Sequence, residues 1–247
     1  MKKYLILGPV VLVGLWFLIC HAGLVDKLLL SPPEQVARKL VYLFTTGQLW
    51  RDLEWTMIRW TCGLVLGTVV GVPLGLLMGA SKRFYASLEV LVDFFRSVPV
   101  MAMFPIFLVF FGLGDRSKIA ISAWTTILYV LINTLYGVRH GSEARRMVAR
   151  VFRASPWQTF SKVIFPEALP DIFVGMRISV SMSLVLVVAA EMIMGTTVGL
   201  GKRILDASLT YSVSEMYATI IVAGTLGYVS NKLFVWLEQH IIHWAAV

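Results

Sequence analysis

Charged residues are scarce in this chain of 247 residues, at 15% against roughly 25% in an average soluble domain, and the 14 Asp and Glu are outnumbered by 22 Lys and Arg. With 58% hydrophobic residues and a mean hydropathy of +0.79, that shortage excludes an ordinary soluble domain, a disordered chain and a nucleic-acid-binding domain. Cysteine is nearly missing as well. Cys20 and Cys62 both lie in apolar runs, so neither a disulfide framework nor a spaced zinc-ligand set is available. There is no phosphate loop: Gly201-Lys202 is followed by Arg203 where Ser or Thr is needed, and Thr196 stands where the leading glycine belongs. Glu191 has no neighbouring His, Ser181 and Ser183 sit in an apolar run, and His240 and His243 lack a third ligand. No catalytic, cofactor-binding or metal site is therefore expected in this chain.

Long apolar runs fill the space left by the missing charge. Crossing a hydrocarbon core of about 30 Å takes roughly 20 helical residues, and runs of that size lie at 4–25, 55–80, 87–112, 117–136, 172–195 and 217–240. The reading is an all-α integral membrane protein with six transmembrane helices. The runs are continuous rather than alternating, which excludes a β-barrel. The first follows Lys2 and Lys3 without a small-residue cleavage site, so it reads as an uncleaved span. Lys82, Arg83, Arg139, Arg145, Arg146, Arg150, Arg153 and Lys162 then fall on the same side as Lys2 and Lys3, which places both termini in the cytoplasm. Residues 26–54 carry Val36, Leu40, Val41 and Phe44 at helical spacing after Ser31-Pro32-Pro33-Glu34. They are expected to form an amphipathic helix lying on the outer membrane surface. The chain divides into 1–54, the first span with its external segment, and 55–247, a core of five spans.

Two patterns call for close contact with something. Gly63, Gly67, Gly71, Gly75 and Gly79 recur every four residues, a small-xxx-small ridge that lets helix backbones approach, within one chain or across a dimer, or slide past each other. The loop 139–170 is too long and too charged for a hairpin turn. It sets Met147, Val148, Val151, Phe152, Trp157 and Phe160 among basic residues, as two short amphipathic helices that meet a partner protein or lie in the lipid headgroups. Ser155-Pro156 supplies an N-cap and a first-turn proline for the second helix, which Pro166 and Pro170 are expected to stop before the fifth span.

The run Ala154-Ser155-Pro156-Trp157-Gln158-Thr159-Phe160, then Phe165-Pro166-Glu167-Ala168-Leu169-Pro170 and Gly175-Met176-Arg177-Ile178, resembles the cytoplasmic loop of binding-protein-dependent ABC importer permeases, in the nitrate, sulfonate, taurine and bicarbonate branch. Further matches are Arg59-x-x-x-Gly63, Phe95-Arg96-Ser97-Val98-Pro99 with Ala102 and Pro105, Gly112-Leu113-Gly114, Val188-Ala189-Ala190-Glu191 and Gly199-Leu200-Gly201. The resemblance implies a type I, MetI-like permease fold in a bacterial inner membrane, with a cytoplasmic coupling-helix loop. It implies two ATP-binding cassette ATPase subunits that hold the ATP and Mg, a second permease copy, identical or related, and an extracytoplasmic substrate-binding protein. Coupling would fall to Met147, Val148, Ala149, Arg150, Arg153, Ala154, Ser155, Pro156 and Trp157. The loop departs from the family pattern of Glu-Ala-Ala, three residues and Gly, because Met147-Val148-Ala149 and Arg153 occupy those places. Arginine takes positive φ less readily than glycine, so either the turn differs or the ATPase presents a matching acidic groove. The altered loop also suggests one half of a heterodimeric permease pair.

Charges inside the spans are costly and mark partners or water. Arg59 and Glu191 fall at similar depth toward the outer face and would pair, as a packing contact, a gate or a substrate contact. Arg96 lies near mid-membrane, one turn from Asp93 and three residues before Pro99, which breaks the helix. It is expected to pair with Asp93 or to line the pathway with Pro99. A cationic lining suits a small anion moved into the cytoplasm by alternating access. The competing reading, an ion-coupled secondary transporter using Glu191 and Arg96, predicts internal repeats, and no clear repeat relates the two halves.

Overall fold

A computed structural model describes residues 7–26 and 29–242, so Lys2, Lys3 and His243 lie outside the described residues. All its regular structure there is helical: α1 (Leu7–His21), α2 (Pro33–Thr45), α3 (Gln48–Ala80), α4 (Lys82–Ser97), a 3-10 turn (Val100–Met103) leading into α5 (Phe104–Phe111), α6 (Asp115–Arg139), α7 (Glu143–Val151), α8 (Pro156–Thr159) with a π-turn (Phe160–Ile164), α9 (Phe165–Ile193), α10 (Leu200–Leu209) and α11 (Val213–Ile241). Four stretches are long and apolar enough to cross a membrane: α3, α6, the unit from Pro156 to Ile193, and α11. α4 and the segment Val100–Phe111 make a further pair bent by 97°, so the run 87–112 is a broken element rather than one straight span. Pro99 is the cause, since it removes a backbone donor and holds Val98 extended at ψ 124. The described part of the first run, α1, has 15 residues, about 22 Å at 1.5 Å per residue, which is short of a full crossing. α3 begins at Gln48 and so runs across the 54/55 division.

The glycine ridge packs within the chain. Gly63, Gly67, Gly71, Gly75 and Gly79 of α3 face Ser122, Thr126, Val130, Thr134 and Val138 of α6, two rows with the same four-residue repeat. A Cβ on Gly67 would stand 2.4 Å from the Thr126 Cβ and 2.6 Å from the Ala123 carbonyl, a space nothing larger than hydrogen fills. α6 lies in turn against α9, where Gly175 approaches the Tyr129 carbonyl and Asn133. Trp60 is buried and donates its indole N–H to the Val180 carbonyl at 3.1 Å and to Ser183 Oγ at 3.0 Å, pinning α3 to α9. Pro73 and Pro170 sit inside continuous helices. The predicted stop at Pro166 and Pro170 does not occur, because the wider π-turn at Phe160–Ile164 accommodates the proline start of α9 and the helix continues.

α2 has the expected apolar face but seats it on its own chain. Val36 and Leu43 are buried with Leu49, Leu200, Ala218 and Val222, so the helix covers α10 and α11 rather than simply lying on lipid. The Gly67→Ala variant should lose about 1–3 kcal/mol through overpacking, and Gly71→Ala, whose nearest contact would be 3.1 Å, should lose less. Thermal unfolding of the two purified variants in detergent checks the order.

Candidate functional site

Three polar assemblies stand out from the apolar bundle, one at the end where α10 begins, one along α4 and one at the end that carries α7. The first is built on Asp52, Thr56 and Arg59, which share one face of α3. Arg59 is 2% exposed and Glu191 is fully buried, with Nη1 2.6 Å from Glu191 Oε1. Arg59 Nε and Nη2 both reach Asp115 Oδ1 at 2.7 Å, Nη1 also donates to the Val198 carbonyl at 2.8 Å, and Nη2 to Thr196 Oγ1 at 3.1 Å. All five guanidinium N–H groups are thereby engaged. The expected Arg59–Glu191 pair is present, and Asp115, missed in the sequence, is its third member.

Glu191 is also the acceptor for the start of α10. The Gly201 amide donates to Glu191 Oε2 at 2.9 Å, the Leu200 amide to Thr56 Oγ1 at 3.0 Å and the Gly199 amide to Asp52 Oδ1 at 2.9 Å. A helix N-terminus with unpaired amides and positive potential thus meets two carboxylates and a hydroxyl. Gly199 holds φ +140 and comes so near that an added Cβ would lie 2.6 Å from Glu191. This close approach is what the Gly199-Leu200-Gly201 motif serves. Arg203 extends the network, donating to Asp52 Oδ2 at 2.5 Å and to Glu215 at 2.8 Å, and Lys39 reaches Glu215 at 2.8 Å. Partial burial works to lower the Arg203 pKa, but the bonds to Asp52 and Glu215 outweigh it and the net shift is upward. Lys118 is fully buried and gives its ammonium to the carbonyls of Leu113, Gly114 and Gly195 at 3.4, 3.2 and 2.9 Å, closing the loops that follow α5 and α9.

Arg96 is placed differently. Its only partner among the described residues is Asp93, at 3.5 Å, and the two side chains are 54% and 59% exposed. α4 has three faces: Leu88, Val92 and Phe95 pack inward, Val90, Leu91 and Phe94 are exposed, and Lys82, Glu89, Asp93 and Arg96 form a polar stripe ending just before the bend at Pro99. Glu89 accepts from Tyr85 OH at 2.5 Å, and the Arg139 guanidinium lies 3.6 Å from the Tyr85 ring. Most of the Arg96 donors remain open.

At the opposite end from α10, residues 140–164 fold as a helical hairpin. Ser142 caps α7, and the Ser155 hydroxyl and Gln158 side chain form a reciprocal capping box around Pro156. Glu167 anchors the hairpin on α9 by accepting from the Ser142 amide at 2.7 Å and from Arg145 at 3.1 Å, while Arg146 donates to the Val138 carbonyl. Of the residues assigned to coupling, Ala149 is buried, whereas Met147, Val148, Arg150, Arg153, Ser155, Pro156 and Trp157 face outward. Val151, Phe152 and Trp157 are 75%, 80% and 72% exposed, and unlike the exposed apolar faces of the long helices they stand among basic side chains. Arg153 takes φ 55, so the turn keeps the left-handed residue that glycine supplies elsewhere, contrary to one branch of the expectation. Asp52, Thr56, Asp115, Lys118, Arg203 and Glu167 were not singled out. The spacing 52, 56, 59 on one helical face was the signal that would have found the first two. No group of three metal-ligating side chains occurs among the described residues.

The sequence matches the family described as binding-protein-dependent transport system inner membrane component over residues 71–244. It is 33% identical over 240 residues, 97% of this chain and 86% of the relative, to the putative aliphatic sulfonates transport permease protein SsuC of Bacillus subtilis (strain 168). It is 32% identical over 236 residues, 92% of this chain and 85% of the relative, to the bicarbonate transport system permease protein CmpB of Synechococcus elongatus. Among solved structures, a chain of the MetNI methionine ABC transporter in an inward-facing conformation superposes with a TM-score of 0.70 at 19% identity, over 80% of this chain and 97% of that one, a likeness of fold.

Replacing Arg59 by Ala strands the Glu191 carboxylate in the bundle, so the variant should lose about 3–5 kcal/mol. The joint replacement Arg59→Met with Glu191→Leu should lose less than Arg59→Ala alone. Unfolding of the three variants in detergent measures the difference.

Proposed function

Because the chain belongs to the family of binding-protein-dependent transport system inner membrane components, we propose that it is the permease subunit of an ATP-driven importer for a small anion of the sulfonate, taurine, nitrate or bicarbonate kind. The observation that carries the reading is the hairpin of residues 140–164, which offers Val151, Phe152 and Trp157 to solvent on a scaffold fixed by Glu167. A chain without a nucleotide loop needs such a face to receive work done on a separate ATPase. Two ATPase subunits would dock on the hairpins of two permease copies, and a binding protein would deliver solute at the α10 end. Lys82, Arg83, Arg139, Arg145, Arg146, Arg150, Arg153 and Lys162 all lie toward the hairpin end, which supports a cytoplasmic hairpin and cytoplasmic termini. Counting the apolar run 4–25 of the sequence as one crossing and the bent pair as one gives six crossings in this reading.

Alternating access requires a ligand-dependent difference between two states. α3, α6 and α9, locked by the glycine rows and Trp60, would move as one body. α4 with its bend at Pro99 lies outside that body and buries none of its residues. Its polar stripe cannot face hydrocarbon at that exposure without cost, so it would line a water-filled path between two copies, with Arg96 as the cation that meets the anion. Arg59 and Glu191, which lie in the same assembly as the α10 start, would act as a packing pair that keeps the outer end closed, since Arg59 has no donor left for a solute.

The direct test reconstitutes the permease with its ATPase and binding protein in proteoliposomes and measures uptake of an alkanesulfonate, taurine, nitrate and bicarbonate. ATP-dependent uptake of one of them is the expected result. Uptake driven by a proton or sodium gradient without ATP would overturn the reading in favour of a secondary transporter. Arg96→Ala should lower uptake about tenfold to a hundredfold, the equivalent of one charge-assisted hydrogen bond, with the ATPase still co-purifying. Unchanged uptake would remove Arg96 from the path.

A further inference from the structure

The end of α7 holds a conformation that arginine does not favour. The Ala154 amide donates to the Ala149 carbonyl at 2.9 Å and the Arg153 amide to the Arg150 carbonyl at 3.0 Å, the paired bonds of a Schellman turn whose left-handed position is Arg153, φ 55. Glycine would hold the same turn without the Cβ penalty. The strain is therefore tied to the side chain, and nothing inside the chain uses it. Among the described residues the guanidinium of Arg153 has no hydrogen-bond or ion-pair partner, and neither has that of Arg150, one turn earlier. The other two arginines of α7 are occupied inward, Arg145 on Glu167 and Arg146 on the Val138 carbonyl. The outward end of the helix thus presents two free cations beside Val151 and Phe152, which are 75% and 80% exposed, with Glu143 the lone acid of α7 a full helix length away.

We infer that Arg153 is held left-handed for its charge, to meet a carboxylate on the face of the ATPase subunit that receives the hairpin, and that this contact selects an ATPase with an acidic docking face. The inference rests on the hairpin being the ATPase docking element. An unpaired cation pair around an apolar patch fits an apolar cleft rimmed by acid, where the rim charges set partner choice and salt dependence. A strained residue kept at a helix end with an unused polar group is the kind of outlier from which a functional role is argued.

The test measures binding of the purified ATPase to the full-length permease in lipid nanodiscs across a series of salt concentrations. Arg153→Gly keeps the turn and removes the charge, Arg153→Lys keeps the charge, and Phe152→Ala removes an apolar anchor. Arg153→Gly should weaken docking about tenfold at low salt and flatten its salt dependence, Arg153→Lys should retain the salt dependence, and Phe152→Ala should release the ATPase. If Phe152→Ala releases the ATPase while Arg153→Gly binds as tightly as the parent with the same salt dependence, the charge inference is overturned and the docking reading stands. If Phe152→Ala also binds as the parent does, both are overturned.

Discussion

Glu191 is a fully buried carboxylate in a chain short of acid, and the bundle is arranged around keeping it satisfied. A lone carboxylate in that position would be several kcal/mol out of balance. Arg59 supplies the countercharge from α3, Thr56 a hydroxyl from the same face, and the Gly201 amide a donor from the start of α10. Together they fix α3 and the start of α10 against α9. The same demand explains why positions 199 and 201 are glycine: any Cβ there would push the helix start away from the oxygen it must reach. Asp52 repeats the arrangement one turn earlier, tying Gly199 and Arg203 to α3, and Lys118 completes it by holding the two neighbouring loops through their carbonyls.

With that end tied, the glycine row of α3 decides how the rest of the bundle closes. Because α6 offers Ser122, Thr126, Val130, Thr134 and Val138 at the same spacing, the two helices meet along their whole common length. The hairpin of residues 140–164 hangs from the far ends of α6 and α9, clamped by Glu167 and Arg146. A displacement of the hairpin is thus delivered to a stiff three-helix unit, which under the proposed function is what lets a docking event on one side of the membrane change the shape of the other. α4 lies outside that unit, and its freedom is a matter of composition: it carries charges at Lys82, Arg83, Glu89, Asp93 and Arg96 and buries no side chain.

Some of this architecture is legible from residues alone. The glycine repeat announces close packing because its period matches the helix, and Arg59 and Glu191 announce a pair because charge in an apolar run has few alternatives. The Ser155 cap and the Pro99 break follow from local chemistry in the same way. Other features are decided by tertiary contacts that no local pattern carries. Arg153 in the glycine place leaves open a different turn or an acidic groove on the ATPase, and the Schellman bonds, which hold the left-handed form, dispose of the first. Nothing around Trp60 in the sequence announces that the Val180 carbonyl and Ser183 take its N–H. α2 has the signature of a surface helix, but α10 and α11 offer its apolar face a drier seat. Pro166 reads as a helix stop because the π-turn at Phe160–Ile164 that carries the chain into α9 leaves no mark in the local pattern.

Comparing the two arginines within the bundle shows why one of them is the better candidate for meeting a solute. A guanidinium attracts an anion only with donors that are not already committed. Arg59 has its five N–H groups distributed over Asp115, Glu191, Val198 and Thr196, so an incoming anion would have to displace a buried carboxylate and leave it without a partner. Arg96 would give up only a long contact to an exposed Asp93, which water can solvate in its place. Under the proposed function, exchange at Arg96 would be nearly balanced and reversible, as a site on a transport path must be. Exchange at Arg59 would dismantle the start of α10. Depth in the sequence already sets the two residues apart, and their partners show what each is free to bind.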